Sequence, residues 1–318
     1  MAPRRPLGKK LFKSLLPILM VLVVALIIAL AIIVYGVTRP CQRPYLVTPQ
    51  SFTGISGRVL KVSDETWQNR DGTRARGWLL KGSEGAPAVV FLHRYCGDRS
   101  QLFNLGVKLN ETTNFTILWP DLRGHGVDPL TTSTTFGNQE AEDLLAALDF
   151  LRRLKGDSQP LLVGDRLGIY GVELGAYIAV RAANRDPRIQ ALVLDSVPRD
   201  ADDLVDAAVR EDVGLDSSLL LRLARVATHS YFMGRFENTS SCELARGLRT
   251  QRILLLAGAD AERLRQSTVA LQGCFQNPAN VEAKTDLPLT GFTLMSATGE
   301  QGELYDRPVI DFFMKSLR

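Results

Sequence analysis

Histidine and cysteine are scarce in this chain, which has three of the first and four of the second among 318 residues. Neither H-E-x-x-H nor C-x-x-C occurs, so no metal site and no metal cofactor are expected. The sequence also lacks G-x-x-x-x-G-K-[ST] and a strand-linked G-x-G-x-x-G, which excludes the common nucleotide-binding sites. We therefore predict no cofactor. The net charge of +4 comes largely from the basic N-terminal segment and does not indicate nucleic-acid binding.

Charge is missing altogether from Leu15–Val37, a run rich in Leu, Ile, Val and Ala. At about 1.5 Å per helical residue, this run can cross the roughly 30 Å hydrocarbon core of a bilayer. A cleaved signal peptide is the competing interpretation, but its apolar core spans only about 7–15 residues. Tyr35–Pro40 is also a poor cleavage site. The run therefore predicts an uncleaved signal anchor.

The basic residues before the apolar run predict its orientation. By the positive-inside rule, residues 1–14 form a cytoplasmic tail, and the chain after the membrane helix lies in the periplasm or outside the cell. The membrane helix is predicted at 15–37 and a short linker at 38–52. Residues 53–318 have the length and composition of a single α/β domain. The membrane is thus a predicted partner of this protein.

Short apolar strands alternate with amphipathic helices after a predicted β-hairpin at Gly54–Leu80, which turns at Asp71-Gly72. This alternation predicts a mostly parallel sheet with helices on both faces. Residues 199–235, between the sixth and seventh strands, are long enough for a small cap of two or three helices. The strands after the hairpin are predicted at Val89–His93, Thr116–Trp119, Gly168–Gly171, Ile189–Asp195, Ile253–Ala257 and Gly291–Ser296.

A glutamate stands where a nucleophile is expected. The letters G-V-E-L-G, from Gly171 to Gly175, lie between an apolar strand and a predicted helix. This is the setting of the G-x-S-x-G nucleophile elbow, whose glycines allow a sharp turn at the strand end. The central residue is Glu173 instead of serine, and a carboxylate attacks carbonyl carbon poorly.

From about residue 57 onward the chain resembles the α/β-hydrolase family. The D-x-R-G-H-G letters within Trp119–Gly126 are the most specific match. The resemblance implies an eight-stranded, mostly parallel sheet, and it implies an oxyanion region formed by His93, Arg94 and Leu174. Segments similar to the family's motifs are Ala88–His93, Trp119–Gly126, Glu142–Phe150, Gly171–Gly175, Arg252–Asp260 and Gly299–Tyr305.

The same resemblance implies a degenerate catalytic triad. Glu173 occupies the nucleophile position, Gln301 the histidine position and Arg94 the place of an oxyanion-loop glycine, while Asp260 keeps the acid position. A glutamine amide has no titratable proton near neutral pH and cannot act as the base. We therefore predict a non-catalytic protein, a pseudoenzyme that binds a small-molecule or lipid ligand or a partner protein.

The alternative is an active esterase or peptidase of the serine-hydrolase kind with a rearranged site. Its candidate nucleophiles are Cys96 and Ser296, and His229 on a predicted cap helix is the candidate base. Glu173 itself could form an ester, as the aspartate of haloalkane dehalogenases does. However, its extra methylene displaces the attacking oxygen, and no histidine is left to activate the water.

Partners are predicted for the remaining polar residues. Glu173 should accept hydrogen bonds from Arg94, from Gln301 or from backbone N–H groups of the elbow, which favour an anion. His93 and His125 are expected to be structural. Cys242 and Cys274 flank the predicted seventh strand and its following helix and are the preferred disulfide pair. Cys41 and Cys96 are predicted either as a second pair or as free thiols.

Overall fold

An eight-stranded sheet forms the centre of the computed structural model, which describes residues 7–56, 60–156, 160–214, 216–294 and 299–318. The strands are β1 (Val62–Gln68), β2 (Arg74–Leu80), β3 (Ala86–Leu92), β4 (Thr116–Pro120), β5 (Val163–Val172), β6 (Ile189–Asp195), β7 (Arg252–Gly258) and β8 (Val281–Leu287). Their order across the sheet is β1-β2-β4-β3-β5-β6-β7-β8. The β1–β2 and β2–β4 pairs are antiparallel and all later pairs are parallel.

Helices cover both faces of this sheet, because the central strands are apolar on both sides. One face packs against α4 and α5 and the other against α3 and α10. The described helices are α1 (Leu7–Val37), α2 (Pro49–Ser56), α3 (Phe103–Thr113), α4 (Asn138–Leu151), α5 (Leu174–Arg185), α6 (Ala201–Val213), α7 (Ser218–Tyr231), α8 (Ser241–Arg246), α9 (Glu262–Gln272) and α10 (Gly299–Leu317). The predicted fold class is confirmed, and α6 and α7 form the cap.

Two boundaries differ from the sequence-based prediction. The last strand was expected at Gly291–Ser296, but β8 ends at Leu287 and residues 291–293 form a turn. Residues 295–298 lie outside the described part of the chain. Side chains along β8 are alternately half-buried and exposed, because it is the edge strand, so its sequence lacks the apolar run of a central strand. The first residues assigned to the hairpin instead belong to α2.

The N-terminal helix α1 contains one segment, Leu15–Val37, that is long and apolar enough to cross a membrane, as a membrane anchor or a signal sequence. Most of this segment is exposed, but its last turns pack against α6 and α7, where Val34 and Val37 are buried. The Thr38 carbonyl then accepts the Thr134 N–H at 2.9 Å. The end of α1 is therefore part of the domain's packed structure.

Two disulfides use all four cysteines. Cys242 is bonded to Cys274, the pair preferred from the sequence, and Cys41 is bonded to Cys96. The second bond joins the segment after α1 to the loop after β3. On the same loop, the Tyr95 hydroxyl donates to the Val37 carbonyl at 2.8 Å. The loop after β3 is thus held directly against the end of the N-terminal helix.

Candidate functional site

A sharp strand-to-helix turn places Glu173 between β5 and α5. Its φ of 49° and ψ of −105° are strained for a residue with a side chain. The flanking glycines make the turn possible, because a Cβ on Gly171 would lie 2.4 Å from Gly175 backbone and one on Gly175 would lie 2.3 Å from the Leu92 carbonyl oxygen. The chain therefore keeps the backbone of a nucleophile elbow although the central residue is glutamate.

The carboxylate of Glu173 is held by backbone N–H groups. The side chain is buried, and its Oε2 accepts the Tyr95 N–H at 3.0 Å. The Leu174 N–H also bonds to the carboxylate. One donor belongs to the residue after the elbow and the other to the loop after β3, the two sources of an oxyanion hole in this fold. Of the partners predicted for Glu173, the structure thus shows one elbow N–H group, that of Leu174, and it adds the Tyr95 N–H, which was not predicted.

Arg94 lies near this carboxylate, and among the described residues no hydrogen bond joins the two side chains. Its Nη1 donates to the Tyr95 carbonyl at 3.0 Å and lies 3.7 Å from the carboxylate of Glu211. Its guanidinium also stands 5.1 Å from the ring centroid of Phe292. The positive charge of Arg94 lies close enough to Glu173 to favour the ionised carboxylate.

The pKa of the Glu173 carboxyl is raised from 4.5 to about 7. Burial is the largest cause, because it disfavours the charged form. Arg94 and the N–H groups of Tyr95 and Leu174 act in the opposite direction, and Glu211 adds to the rise. Burial outweighs the favourable partners, so Glu173 changes charge near neutral pH.

Asp260 accepts hydrogen bonds from the turn after β8. Its Oδ2 accepts the Thr290 N–H at 2.9 Å, the Thr290 hydroxyl at 3.0 Å and the Thr293 hydroxyl at 2.6 Å. Phe292, within the same turn, lines the cleft beside Glu173. Threonine hydroxyls and a phenyl ring therefore occupy the region beside Asp260, and neither group accepts protons near neutral pH.

Gln301 is not brought to this site. It lies exposed in the first turn of α10, and among the described residues no hydrogen bond joins it to Glu173 or Asp260. The G-E-Q-G letters resemble the family's last motif, but they begin a helix and do not follow β8 directly. The turn that reaches Asp260 occurs earlier in the chain, at residues 290–293.

None of the three histidines can serve Glu173. The His93 Nε2 accepts the Leu122 N–H at 3.1 Å and its Nδ1 lies 2.8 Å from the Arg94 carbonyl, so both nitrogens are used within the fold. Burial lowers the pKa of His93 to about 4 and that of His125 to about 3, so both are neutral. His229 is bound to Asp202 at 2.8 Å on the cap.

Of the two other candidate nucleophiles, the structure excludes one. Cys96 has no thiol, because its sulfur is bonded to Cys41. The same bond prevents these two sulfurs from joining Glu211 as metal ligands, although the three residues lie close together. Ser296 lies outside the described residues.

A charged cleft of about 860 Å³ opens beside Glu173, between the cap and α9. Six carboxylates and three guanidinium groups line it. Several are paired with each other, as Arg199 is with Asp203 and Arg210 with Asp206. The cleft is thus polar and carries an excess of negative charge.

Sequence reasoning missed Tyr95, Phe292 and Asp195. Tyr95 contributes through its backbone, which counting three residues past the end of β3 could have found. Asp195, buried at the end of β6, accepts the Gly291 N–H at 2.7 Å and the Tyr305 hydroxyl, and thereby fixes the turn beside the site. Burial raises the pKa of Asp195 to about 6. No sequence motif marks Asp195 or Phe292.

Comparison with known proteins supports the fold. No family model matches the sequence. The chain is 25% identical over 144 residues to thiohydrolase aneE of Aspergillus aculeatus, covering 45% of this chain and 42% of that protein. It is 23% identical over 131 residues to an uncharacterized 31.7 kDa protein in the traX-finO intergenic region of Escherichia coli, covering 41% of this chain and 44% of that protein. The matches therefore span less than half the length of these relatives.

Solved structures give a longer match. The Pyrococcus furiosus esterase Pf2001 has a TM-score of 0.64 at 20% identity, covering 88% of this chain and 98% of that one. The acylaminoacyl peptidase of Pyrococcus horikoshii has a TM-score of 0.59 at 15% identity, covering 84% of this chain and 44% of that one. These likenesses show that the chain has the α/β-hydrolase fold.

Proposed function

We propose that this chain is a membrane-anchored, non-catalytic α/β-hydrolase-fold protein that acts by binding a ligand or partner in the cleft beside Glu173. The hydrogen bond from the Tyr95 N–H to the Glu173 carboxylate is the observation that carries the proposal. It indicates that the backbone donors which would stabilise a reaction oxyanion are bonded to the protein's own side chain.

Hydrolysis by this fold requires three features, and each of them is blocked, replaced or used elsewhere here. An oxyanion hole must be open to the substrate, a nucleophile must stand at the elbow and an imidazole must carry its proton. Glu173 fills the hole and replaces the nucleophile, and the histidines are used elsewhere in the fold. The alternative, an esterase or peptidase with a rearranged site, is supported by the preserved elbow and by the names of the structural neighbours.

Helix α1 supports the membrane anchor. Its apolar segment is long enough to span a bilayer, and basic residues precede it, which favours a cytoplasmic N-terminus. The domain then lies on the extracytoplasmic side. The two disulfides agree with this location, because such bonds persist in oxidising compartments.

The full-length protein in detergent micelles is expected to show neither turnover of short acyl or aminoacyl esters nor stoichiometric labelling by a fluorophosphonate. The physical reason is that the substrate carbonyl oxygen cannot displace a covalently tethered carboxylate, and none of the three histidines is placed to act as the base. Glu173→Ala tests the site, and Glu243→Ala, an exposed glutamate on α8, is the matched control. Turnover that disappears in the first variant and persists in the second would contradict the proposal and favour the active hydrolase.

The lining of the cleft favours a polar ligand with positive charge. We expect the full-length protein to bind spermidine, used as a cationic probe, and the affinity should fall as salt rises. Asp260→Asn should weaken this binding, whereas Asp311→Asn on α10, outside the cleft, should not. Calorimetric titration that finds equal binding by the two variants would exclude the cleft as a cationic site.

A further inference from the structure

The cap helix α7 carries a row of exposed apolar side chains. Leu219, Val226 and Met233 are 66%, 66% and 83% exposed, and they recur every seventh residue. Within the helix this spacing places Leu219 and Val226 on one side, and Met233 follows two residues after Tyr231, the last residue of the helix. The buried side chains Leu221 and Ala224 point the other way, into the domain. Large apolar side chains aligned on a surface helix mark a contact surface.

The position of α7 relative to α1 identifies what this surface meets. Helix α1 packs against α7 through its last turns, where Val34 and Val37 are buried. In the same turns Tyr35 is exposed, and the guanidinium of Arg39 lies 3.7 Å from its ring centroid. Tyrosine and arginine at the end of an apolar span are typical of the membrane–water interface. From Leu15 to this turn, α1 rises about 30 Å, the thickness of the hydrocarbon core.

We propose that α7 lies in the outer interface of the bilayer, with the side chains of Leu219, Val226 and Met233 among the lipid acyl chains. The proposal rests on the membrane anchorage of α1 proposed above. Because α7 contacts the part of α1 that leaves the membrane, it is held at interface height, where its apolar side meets lipid.

Charge on α7 agrees with a lipid surface. Arg222, beside the apolar row, and Arg235, after it, are exposed, and neither forms an ion pair with a described residue. Guanidinium groups in this position can reach lipid phosphates while their stems lie along apolar surface. On the opposite side of the helix, Arg225 is bonded to the Asp206 carboxylate of α6, which fixes α7 to the cap. The apolar row is thus free to face lipid.

The chain suits a site-specific depth measurement, because all four cysteines are in disulfides and a single introduced cysteine can be labelled. Full-length protein would be placed in nanodiscs of phosphatidylcholine and phosphatidylglycerol. An environment-sensitive fluorophore on Val226→Cys should lose roughly half its emission when the lipids carry brominated acyl chains, because an interfacial helix buries its apolar side about 5–10 Å deep. Leu219→Cys should behave in the same way.

Two further labels separate this inference from the anchorage on which it rests. Leu304→Cys, on α10, is also exposed, but α10 covers the face of the sheet opposite to the core cluster that the end of α1 joins, so its emission should not change. Leu22→Cys, in the apolar segment of α1, should be quenched strongly. Quenching at Leu22 without quenching at Val226 would overturn the α7 inference alone, as would equal quenching at Val226 and Leu304. Absence of quenching at Leu22 would overturn the anchorage and the α7 inference together.

Discussion

Replacing Glu173 by glutamine should raise the free energy of unfolding at pH 8 by up to about 3 kcal/mol, since each pKa unit corresponds to about 1.4 kcal/mol. The carboxyl pKa is raised from 4.5 to about 7 in the folded protein. The folded state therefore holds the proton more tightly than the unfolded state does. The stability that the protonated Glu173 carboxyl gives the folded state is fully present below pH 4.5 and is lost as the pH rises through 7. Glutamine stays neutral, and its carbonyl oxygen can still accept the Tyr95 N–H.

The measurement is urea unfolding of the full-length protein in micelles, followed by tryptophan fluorescence at pH 4.5 and pH 8. The difference between Glu173→Gln and the unaltered protein should be small at the lower pH and large at the higher one. Asp195 and the buried histidines titrate in both proteins, so this difference isolates Glu173. Glu243→Gln, at an exposed position, should show no such pH dependence. A Glu173→Gln variant that is less stable at pH 8 would mean that Arg94 and the backbone donors outweigh burial.

Removing the Cys41–Cys96 disulfide by a double change to serine should lower the free energy of unfolding by about 4 kcal/mol. The bond spans 55 residues. A bond that closes a loop of that length lowers the conformational entropy of the unfolded chain, which stabilises the folded state by roughly 4 kcal/mol. The segment after α1 would then be tied to the domain mainly by hydrogen bonds such as that between Thr134 and Thr38. Unfolding in urea without reductant measures the loss.

Limited chymotrypsin digestion distinguishes this bond from the second one. Without Cys41–Cys96, the chain should be cleaved after Tyr45 and Leu46, because its covalent attachment to the loop after β3 is gone. Changing Cys242 and Cys274 to serine should also reduce stability by several kcal/mol but should leave this segment protected. Equal cleavage at Tyr45 and Leu46 in both double variants, or in neither, would show that the disulfide does not hold the segment.

The elbow could be predicted from the sequence because its requirements are local. Gly171 and Gly175 are fixed by close backbone approaches within the strand–turn–helix unit, so their spacing is visible in the letters. One partner of Glu173, the Leu174 N–H, also followed, because the N–H groups at an elbow exist whatever side chain the elbow carries. The second donor, the Tyr95 N–H, lies on the loop after β3 and was not predicted. Alternating apolar strands and amphipathic helices likewise predicted the parallel part of the sheet.

The part of the site around Asp260 and Phe292 could not be predicted in the same way. Gln301 matches a motif letter, but the side chains that face Asp260 depend on where β8 ends, and an edge strand has no clear apolar signal. The approach of Phe292 to Arg94 depends on the turn fixed by Asp195. The Cys41–Cys96 bond depends on α1 packing against the cap. Each of these is a long-range contact without a local pattern.

The packing of α1 into the domain limits how far the cleft can move from a membrane that α1 spans. A domain on a flexible tether samples a volume that grows with tether length, whereas here Val37 and Thr38 are already buried in the domain. With α1 as the anchor, the cleft keeps one height and one orientation relative to the bilayer. A chain of this size has a radius of gyration of about 18–20 Å, so the cleft stays within on the order of 40 Å of the lipid. Under the proposed anchorage, the cleft would meet ligands from that thin layer only, and diffusion along the membrane plane would bring the cleft to them.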